Sequence, residues 1–129
     1  MPWHERYTLG VADMDATHRE FVALVDALQT ASDDDFPDLF AKLHEHTRLH
    51  FEHEGKLMKA CRFPATGEHT SEHLRVLGEL NHFARGVEGG RYGMARNYVK
   101  ALPEWFASHV ATMDSALAAC LSARLSGAA

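Results

Sequence analysis

The sequence predicts an all-α protein, an up-down-up-down four-helix bundle with an extended N-terminal arm. Apolar residues recur at helical spacing in four segments, and no segment alternates with the period of a β-strand. The connections between the four segments are short, so consecutive helices are expected to run antiparallel. With 129 residues, the chain is expected to form a single domain over 1–129.

The arm is predicted over residues 1–15, where apolar side chains lack helical spacing and are expected to lie on the bundle. Asp15 is the predicted N-cap of the first helix, which spans about residues 16–30. The apolar face of this helix follows the i, i+3, i+4, i+7 pattern and is formed by His18, Phe21, Val22, Val25 and Leu28.

The second helix is predicted over about 37–61, with Pro37 in its first turn behind aspartates that suit the positive end of a helix dipole. Pro64 and Gly67 then indicate a turn. The third helix is predicted over about 67–87 and stops in a glycine-rich segment.

The fourth helix is predicted over about 92–125 and contains Pro103. A proline inside a helix removes one backbone hydrogen bond and clashes with the carbonyl four residues back. This helix is therefore expected to be kinked or split between Leu102 and Trp105.

Composition narrows the possible functions. Apolar residues make up 46% and charged residues 24%, and the net charge of -5 gives no electrostatic reason to expect a nucleic-acid partner. The sequence has neither a leader pattern nor an apolar run long enough to span a membrane, so a soluble, cytoplasmic protein is expected. Cys61 and Cys120 each fall on an apolar helical stripe and are predicted to be buried, inert thiols.

Histidines and carboxylates on the predicted helices form a candidate metal site. With a rise of about 1.5 Å per residue, the distance of each residue from the turn that joins two helices can be estimated. Across all three turns these distances agree to within about one helical turn, so the residues are expected at one level of the bundle. An ordinary helical core would not collect so many polar groups, because unpaired buried charge is costly. The predicted ligands are His18, His50, Glu54, His69, His73, His109 and Asp114.

Asp114 fits this scheme less simply than the others. A separation of five residues places it about 140° around an α-helix from His109. Either the fourth helix is locally loosened, or the two side chains approach from different sides, as they would if Asp114 spanned two ions. The remaining histidines are expected to have ordinary polar or solvated roles: His4, His44, His46, His53 and His82.

Seven candidate ligands exceed the four of a structural zinc site, and clustered cysteines are absent. Two ions that share bridging carboxylates would accommodate the number. The repeated Glu-x-x-His pairs of carboxylate-rich di-iron bundles are missing from this sequence.

The motifs match a known family. They read Asp15-x-x-His18, His50-x-x-x-Glu54, His69-x-x-x-His73 and Trp105-x-x-x-His109-x-x-x-x-Asp114. In this pattern the chain resembles the bacterial hemerythrins over almost its whole length.

The resemblance implies two iron ions in an oxo- or hydroxo-bridged di-iron centre. It implies that His69, His73 and His109 hold one iron. It implies that His18 and His50 hold the other, which is one ligand short and takes dioxygen as a hydroperoxide. Glu54 and Asp114 would bridge the pair, and Trp105 and Phe106 would line the oxygen pocket.

Three positions depart from the family pattern. Gly55 replaces a second glutamate, Thr17 replaces a glutamine, and Phe106 replaces a leucine at the oxygen pocket. The bulkier ring of Phe106 is expected to slow the uptake and release of oxygen.

The function that the resemblance implies is reversible dioxygen binding for storage, delivery or scavenging, and not catalysis. A sensor module responsive to oxygen, redox state or nitric oxide is the alternative, with any protein partner unknown. A di-iron oxidase or peroxidase is a third possibility, but no placed acid or base beyond the ligands favours it.

Overall fold

The computed structural model describes residues 3–126 of the chain. Its helices are α1 (Ala12–Gln29), α2 (Phe36–Cys61), α3 (Thr66–Glu88), α4 (Gly93–His109) and α5 (Ser115–Ser126), with a 3-10 turn at Glu5–Tyr7 and a π-helical turn at Val110–Asp114. Helices α1 and α3 each pack against α2 and α4, and α5 packs against α2. The predicted four-helix bundle is confirmed, with α4, the π turn and α5 as its fourth helix.

The start of α1 differs from the prediction. This helix begins at Ala12 instead of near residue 16, so Asp15 is not its N-cap. The Asp15 carboxylate instead accepts hydrogen bonds from the backbone N–H groups of Leu9, at 2.8 Å, and Gly10, at 3.1 Å. Asp15 therefore ties the N-terminal arm to the first turn of α1.

The arm is not wholly extended. Residues 1 and 2 lie outside the described part of the chain, and the 3-10 turn follows shortly after them. The His4 side chain caps this turn by accepting a hydrogen bond from the Arg6 backbone N–H at 3.0 Å. As predicted, apolar side chains of the arm pack on the bundle, among them Trp3, Tyr7 and Leu9.

Pro103 does not split the fourth helix, because α4 continues through it to His109. The carbonyl that loses its backbone donor is that of Val99, four residues earlier. The side-chain amide of Gln29, at the end of α1, donates a hydrogen bond to this carbonyl at 3.0 Å. A contact between two helices thus replaces the bond that proline removes.

The core consists of two apolar clusters at different levels of the bundle. The larger includes Phe21, Leu43, Val76 and Phe106, and the smaller includes Met14, Met58, Phe63 and Leu117. Along the chain, the predicted metal ligands lie between residues of the larger cluster and residues of the smaller, as His18 lies between Phe21 and Met14. Within residues 3–126, no helix has both the length and the apolar character needed to cross a bilayer.

Candidate metal centre

All seven predicted ligands meet in the middle of the bundle. Each is almost completely buried, and together they come from α1, α2, α3, α4 and the π turn. Their relative exposures are His18 0%, His50 6%, Glu54 1%, His69 1%, His73 4%, His109 5% and Asp114 0%. The seven side chains that were expected at one level of the bundle therefore lie together there.

Glu54 stands between two groups of imidazoles. Its Oε2 atom lies 2.6 Å from Nε2 of His50 and 3.4 Å from Nε2 of His18. Its Oε1 atom lies 3.2 Å from Nε2 of His69 and 3.2 Å from Nε2 of His73. The carboxylate therefore directs one oxygen toward each group.

Asp114 divides its two oxygens in the same way. Oδ2 lies 3.2 Å from Nε2 of His18, whereas Oδ1 lies 3.1 Å from Nε2 of His69 and 3.2 Å from Nε2 of His109. Asp114 and Glu54 thus lie between the same two groups of imidazoles.

The donor atoms fall into two overlapping sets, each compact enough for one ion. Within each set, the candidate ligand atoms all lie within 4.8 Å of one another. The first set comprises Glu54, His69, His73, His109 and Asp114, and the second comprises His18, His50 and Glu54. Because Glu54 belongs to both sets, the arrangement suits a pair of neighbouring ions.

The π turn explains how Asp114 joins His109. The Ser115 backbone N–H donates to the carbonyl of Val110, five residues earlier, so the helix is wider here than an α-helix. A wider turn brings residues five apart toward the same side. The fourth helix is therefore locally loosened, which is the first of the two predicted possibilities. Asp114 also faces both groups of imidazoles.

Hydroxyl groups satisfy carbonyls beside the π turn. The Thr112 hydroxyl donates to the Ser108 carbonyl at 2.7 Å, and the Ser115 hydroxyl donates to the Ala111 carbonyl at 2.8 Å. Side chains that bond to carbonyls four residues back commonly accompany irregular helical geometry. They help to hold the segment that presents Asp114.

The electrostatics of the cluster favour bound positive charge. Burial lowers the pKa of His18, but the Asp114 and Glu54 carboxylates outweigh burial and raise it to about 9. The same balance of burial against these two carboxylates raises the pKa of His69 to about 9. Burial raises the pKa of both carboxyl groups, but the surrounding imidazoles lower each pKa below its ordinary value. Both carboxylates are therefore held ionised.

Hydrogen bonding alone does not satisfy these donor atoms. Several buried atoms have no hydrogen-bond partner in the described part of the chain: Nε2 of His18, His69, His73 and His109, Oε1 of Glu54, and both carboxylate oxygens of Asp114. Polar atoms without partners in a protein interior are costly, and a bound metal ion would satisfy them. Imidazole and carboxylate ligands both suit iron, so the residues present fit a di-iron group.

Comparison with known proteins agrees with this geometry. Residues 9–121 match the family model described as Hemerythrin HHE cation binding domain. The chain belongs to the hemerythrin family. A hemerythrin domain binds a di-iron centre and is an oxygen-binding domain, and the buried cluster supplies side chains that could hold the metal.

Individual relatives show how much of the chain the similarity covers. A bacteriohemerythrin from Ralstonia nicotianae is 37% identical over 122 residues, which cover 95% of this chain and 89% of that protein. Two crystal structures of hemerythrin point mutants share the fold with a TM-score of 0.84 each, at 19% identity. Each alignment covers 95% of this chain and 97% of the solved one.

Two aromatic rings pack against the three-histidine side of the buried cluster. Trp105 stacks on His109 with ring centroids 4.7 Å apart, and Phe51 stacks on His73 at 3.7 Å. The Trp105 ring N–H donates to Glu72 Oε1 at 2.7 Å, which anchors the indole. Sequence reasoning missed Phe51 and Glu72, although each directly adjoins a predicted ligand in the chain.

Different rings cover the two-histidine side. Phe106 is 1% exposed and lies nearly perpendicular to the His18 ring, with centroids 5.3 Å apart. Tyr7 from the N-terminal arm also contacts the Phe106 ring, with centroids 5.3 Å apart. Phe106 therefore packs against the two-histidine group and Trp105 against the three-histidine group. Sequence reasoning did not identify Tyr7 as a residue that packs around the site.

The other five histidines belong to neither set of donor atoms. His46 is 16% exposed and its Nε2 atom lies 3.0 Å from the surface carboxylate of Glu20. His44 and His53 are half-buried, and His4 and His82 are exposed. These five histidines are therefore not assigned as ligands.

Proposed function

We propose that this protein binds dioxygen reversibly, for storage, delivery or scavenging. The observation that carries the proposal is the division of each buried carboxylate, with one oxygen toward each group of imidazoles. A pair of bridging carboxylates is the arrangement expected between two metal ions.

We assign the ligands from these distances. Glu54 and Asp114 would be shared by the two irons. His69, His73 and His109 would hold one iron, and His18 and His50 would hold the other. The two-histidine side offers one protein ligand fewer, and an open coordination position is the usual place for an exogenous ligand. Dioxygen is therefore expected at the two-histidine side.

The surrounding residues favour binding over turnover. When bound, the iron pair supplies two electrons to dioxygen and recovers them when dioxygen leaves. Phe106 packs against the ring of His18, and Phe21 stacks on Phe106 with centroids 5.0 Å apart. These apolar rings exclude water and offer no proton donor, so reduction of oxygen to water is disfavoured.

An optical experiment tests this function. Metal content is measured first, and spectra of the reduced protein are then recorded under nitrogen, in air, and after a second purge with nitrogen. We expect two irons per chain and a colour that appears and disappears reversibly. Irreversible bleaching would indicate oxidase chemistry. A protein that takes up only zinc would refute the assignment.

A pair of histidine variants tests the ligand assignment. His50→Gln removes a proposed ligand, whereas His53→Gln changes a half-buried histidine three residues later that lies outside both sets of donor atoms. We expect His53→Gln to keep two irons and the reversible spectrum. We expect His50→Gln to lose one iron and the spectral change with oxygen. Equal behaviour of the two variants would contradict the role of His50.

A further inference from the structure

Two cysteines meet at the level of the smaller apolar cluster. Cys61 is the last residue of α2, and Cys120 lies within α5, which packs against α2. The Cys120 Sγ atom lies 3.3 Å from the backbone oxygen of Cys61, and both residues are free thiols. Residues 59 positions apart in the chain are therefore in direct contact.

The two thiols have different surroundings. Cys61 is 9% exposed and packs in the smaller cluster with Met58 and Leu117, whereas Cys120 is half-buried at its edge. Burial and the adjacent Cys120 thiol raise the pKa of Cys61 to about 11. Exposure makes Cys120 the thiol that a dissolved reagent meets first.

We propose that Cys61 and Cys120 form an intramolecular disulfide when the protein meets a peroxide. The Cys120 sulfur attacks one oxygen of the peroxide and becomes a sulfenic acid, while the other oxygen leaves as water or an alcohol. The Cys61 sulfur then attacks the Cys120 sulfur, and the sulfenic hydroxyl leaves as water. Two thiols lose two electrons and two protons, and the O–O bond of the peroxide is reduced.

The position of this bond gives it a consequence for the metal centre. Glu54 lies two helical turns before Cys61 on α2, and Asp114 lies six residues before Cys120. The disulfide would therefore join the two segments that carry the bridging carboxylates. A covalent link between them restricts their separation and is expected to stabilise the bundle, because it closes a long loop in the unfolded chain.

The test uses the iron-loaded, full-length protein. Reduced protein is treated with stoichiometric hydrogen peroxide, free thiols are blocked with N-ethylmaleimide, and the product is studied by intact mass measurement and non-reducing peptide mapping. We expect an unlabelled monomer about 2 Da lighter than the reduced chain, since two hydrogens are lost. The peptides containing Cys61 and Cys120 should be cross-linked, and the melting temperature should rise by several degrees until dithiothreitol is added.

Serine variants and a second oxidant make the result decisive. Cys120→Ser and Cys61→Ser should both keep two irons and show no rise in melting temperature with peroxide. Two labelled thiols after oxidation, or a disulfide between two chains, would overturn the proposal. A bond that forms with diamide but not with hydrogen peroxide would overturn the assignment of a peroxide as the oxidant.

Discussion

At the residue scale, Phe106 is the departure from the family pattern that is expected to affect oxygen binding. It is fully buried, stands against His18, and is itself held by Phe21 and Tyr7. A ring in a site enclosed by other rings has little room to move, because protein interiors are close-packed. In the proposed function dioxygen binds at the two-histidine side, so these rings lie beside its expected position.

Phe106→Leu is expected to accelerate both the uptake and the release of oxygen several-fold, because leucine fills less of the site. Stopped-flow spectroscopy after mixing with oxygenated buffer, and after mixing with an oxygen scavenger, measures the two rates. Phe40→Leu is the control, since Phe40 is an equally buried ring of the larger cluster. Within the described residues its ring stacks on Phe36 and on the ring of no proposed ligand. Equal rates in the wild type and Phe106→Leu would refute the prediction.

Cys61 should make the reduced protein less stable at alkaline pH. Burial, together with the Cys120 thiol, raises its pKa from 9.0 to about 11. The unfolded chain therefore loses this proton at lower pH than the folded chain. The stabilising contribution is complete below about pH 9 and disappears as pH rises through about 11.

Urea unfolding under reducing conditions measures this effect. The free energy of unfolding of the wild type should fall more steeply between about pH 9 and 11 than that of Cys61→Ala. Parallel pH profiles for the two proteins would show that the thiol does not contribute.

At the element scale, the fourth helix contains two irregularities with different solutions. The π turn is supported from within the helix, by hydroxyls of Thr112 and Ser115. The carbonyl freed by Pro103 is supported from another helix, by Gln29. The first irregularity places a proposed ligand, and the second joins the end of α1 to the middle of α4.

Gln29→Met should cost about 1 kcal/mol of stability, because it keeps the side-chain length but removes the donor to the Val99 carbonyl. In a Pro103→Ala background the same change should cost less, since residue 103 then supplies the backbone N–H that this carbonyl lacks. Denaturant unfolding of the four proteins in a double-mutant cycle measures the coupling. Additive effects would show that Gln29 does not compensate for the proline.

At the scale of the whole molecule, a layer of ionisable side chains separates two apolar clusters. Both carboxylates in this layer are held ionised, and many of its donor atoms have no hydrogen-bond partner in the described residues. Such a layer destabilises the bundle unless cations occupy it, because buried polar atoms without hydrogen-bond partners are costly. Metal binding and folding are therefore expected to be coupled.

Removal of iron should lower the melting temperature by on the order of 10 °C, since a ligand at about a thousand times its dissociation constant contributes about 4 kcal/mol. Differential scanning calorimetry before and after treatment with a chelator and reductant measures the change. Anaerobic addition of ferrous iron should restore the original melting temperature. An unchanged melting temperature after complete iron removal would contradict the coupling.

The sequence by itself was sufficient for the number of helices, their apolar faces and the depth of each candidate ligand. The 3.6-residue period and the rise per residue are local properties of the chain. A four-residue spacing such as that of His69 and His73 therefore indicates a shared helix face without any knowledge of neighbouring helices. The convergence of the predicted ligands depended only on these local rules and on short connections.

Tertiary structure alone decided the features that depend on partners across the bundle. The Gln29 bond to the Val99 carbonyl and the contact between Cys61 and Cys120 each involve groups whose meeting no local period predicts. The π turn at Asp114 lies within one helix, and the sequence left it as one of two alternatives. Asp15 is similar to the first two cases, because its carboxylate bonds to the arm instead of capping its own helix. The physical reason is that helix periodicity sets which side a residue faces, whereas packing between helices sets what it meets there.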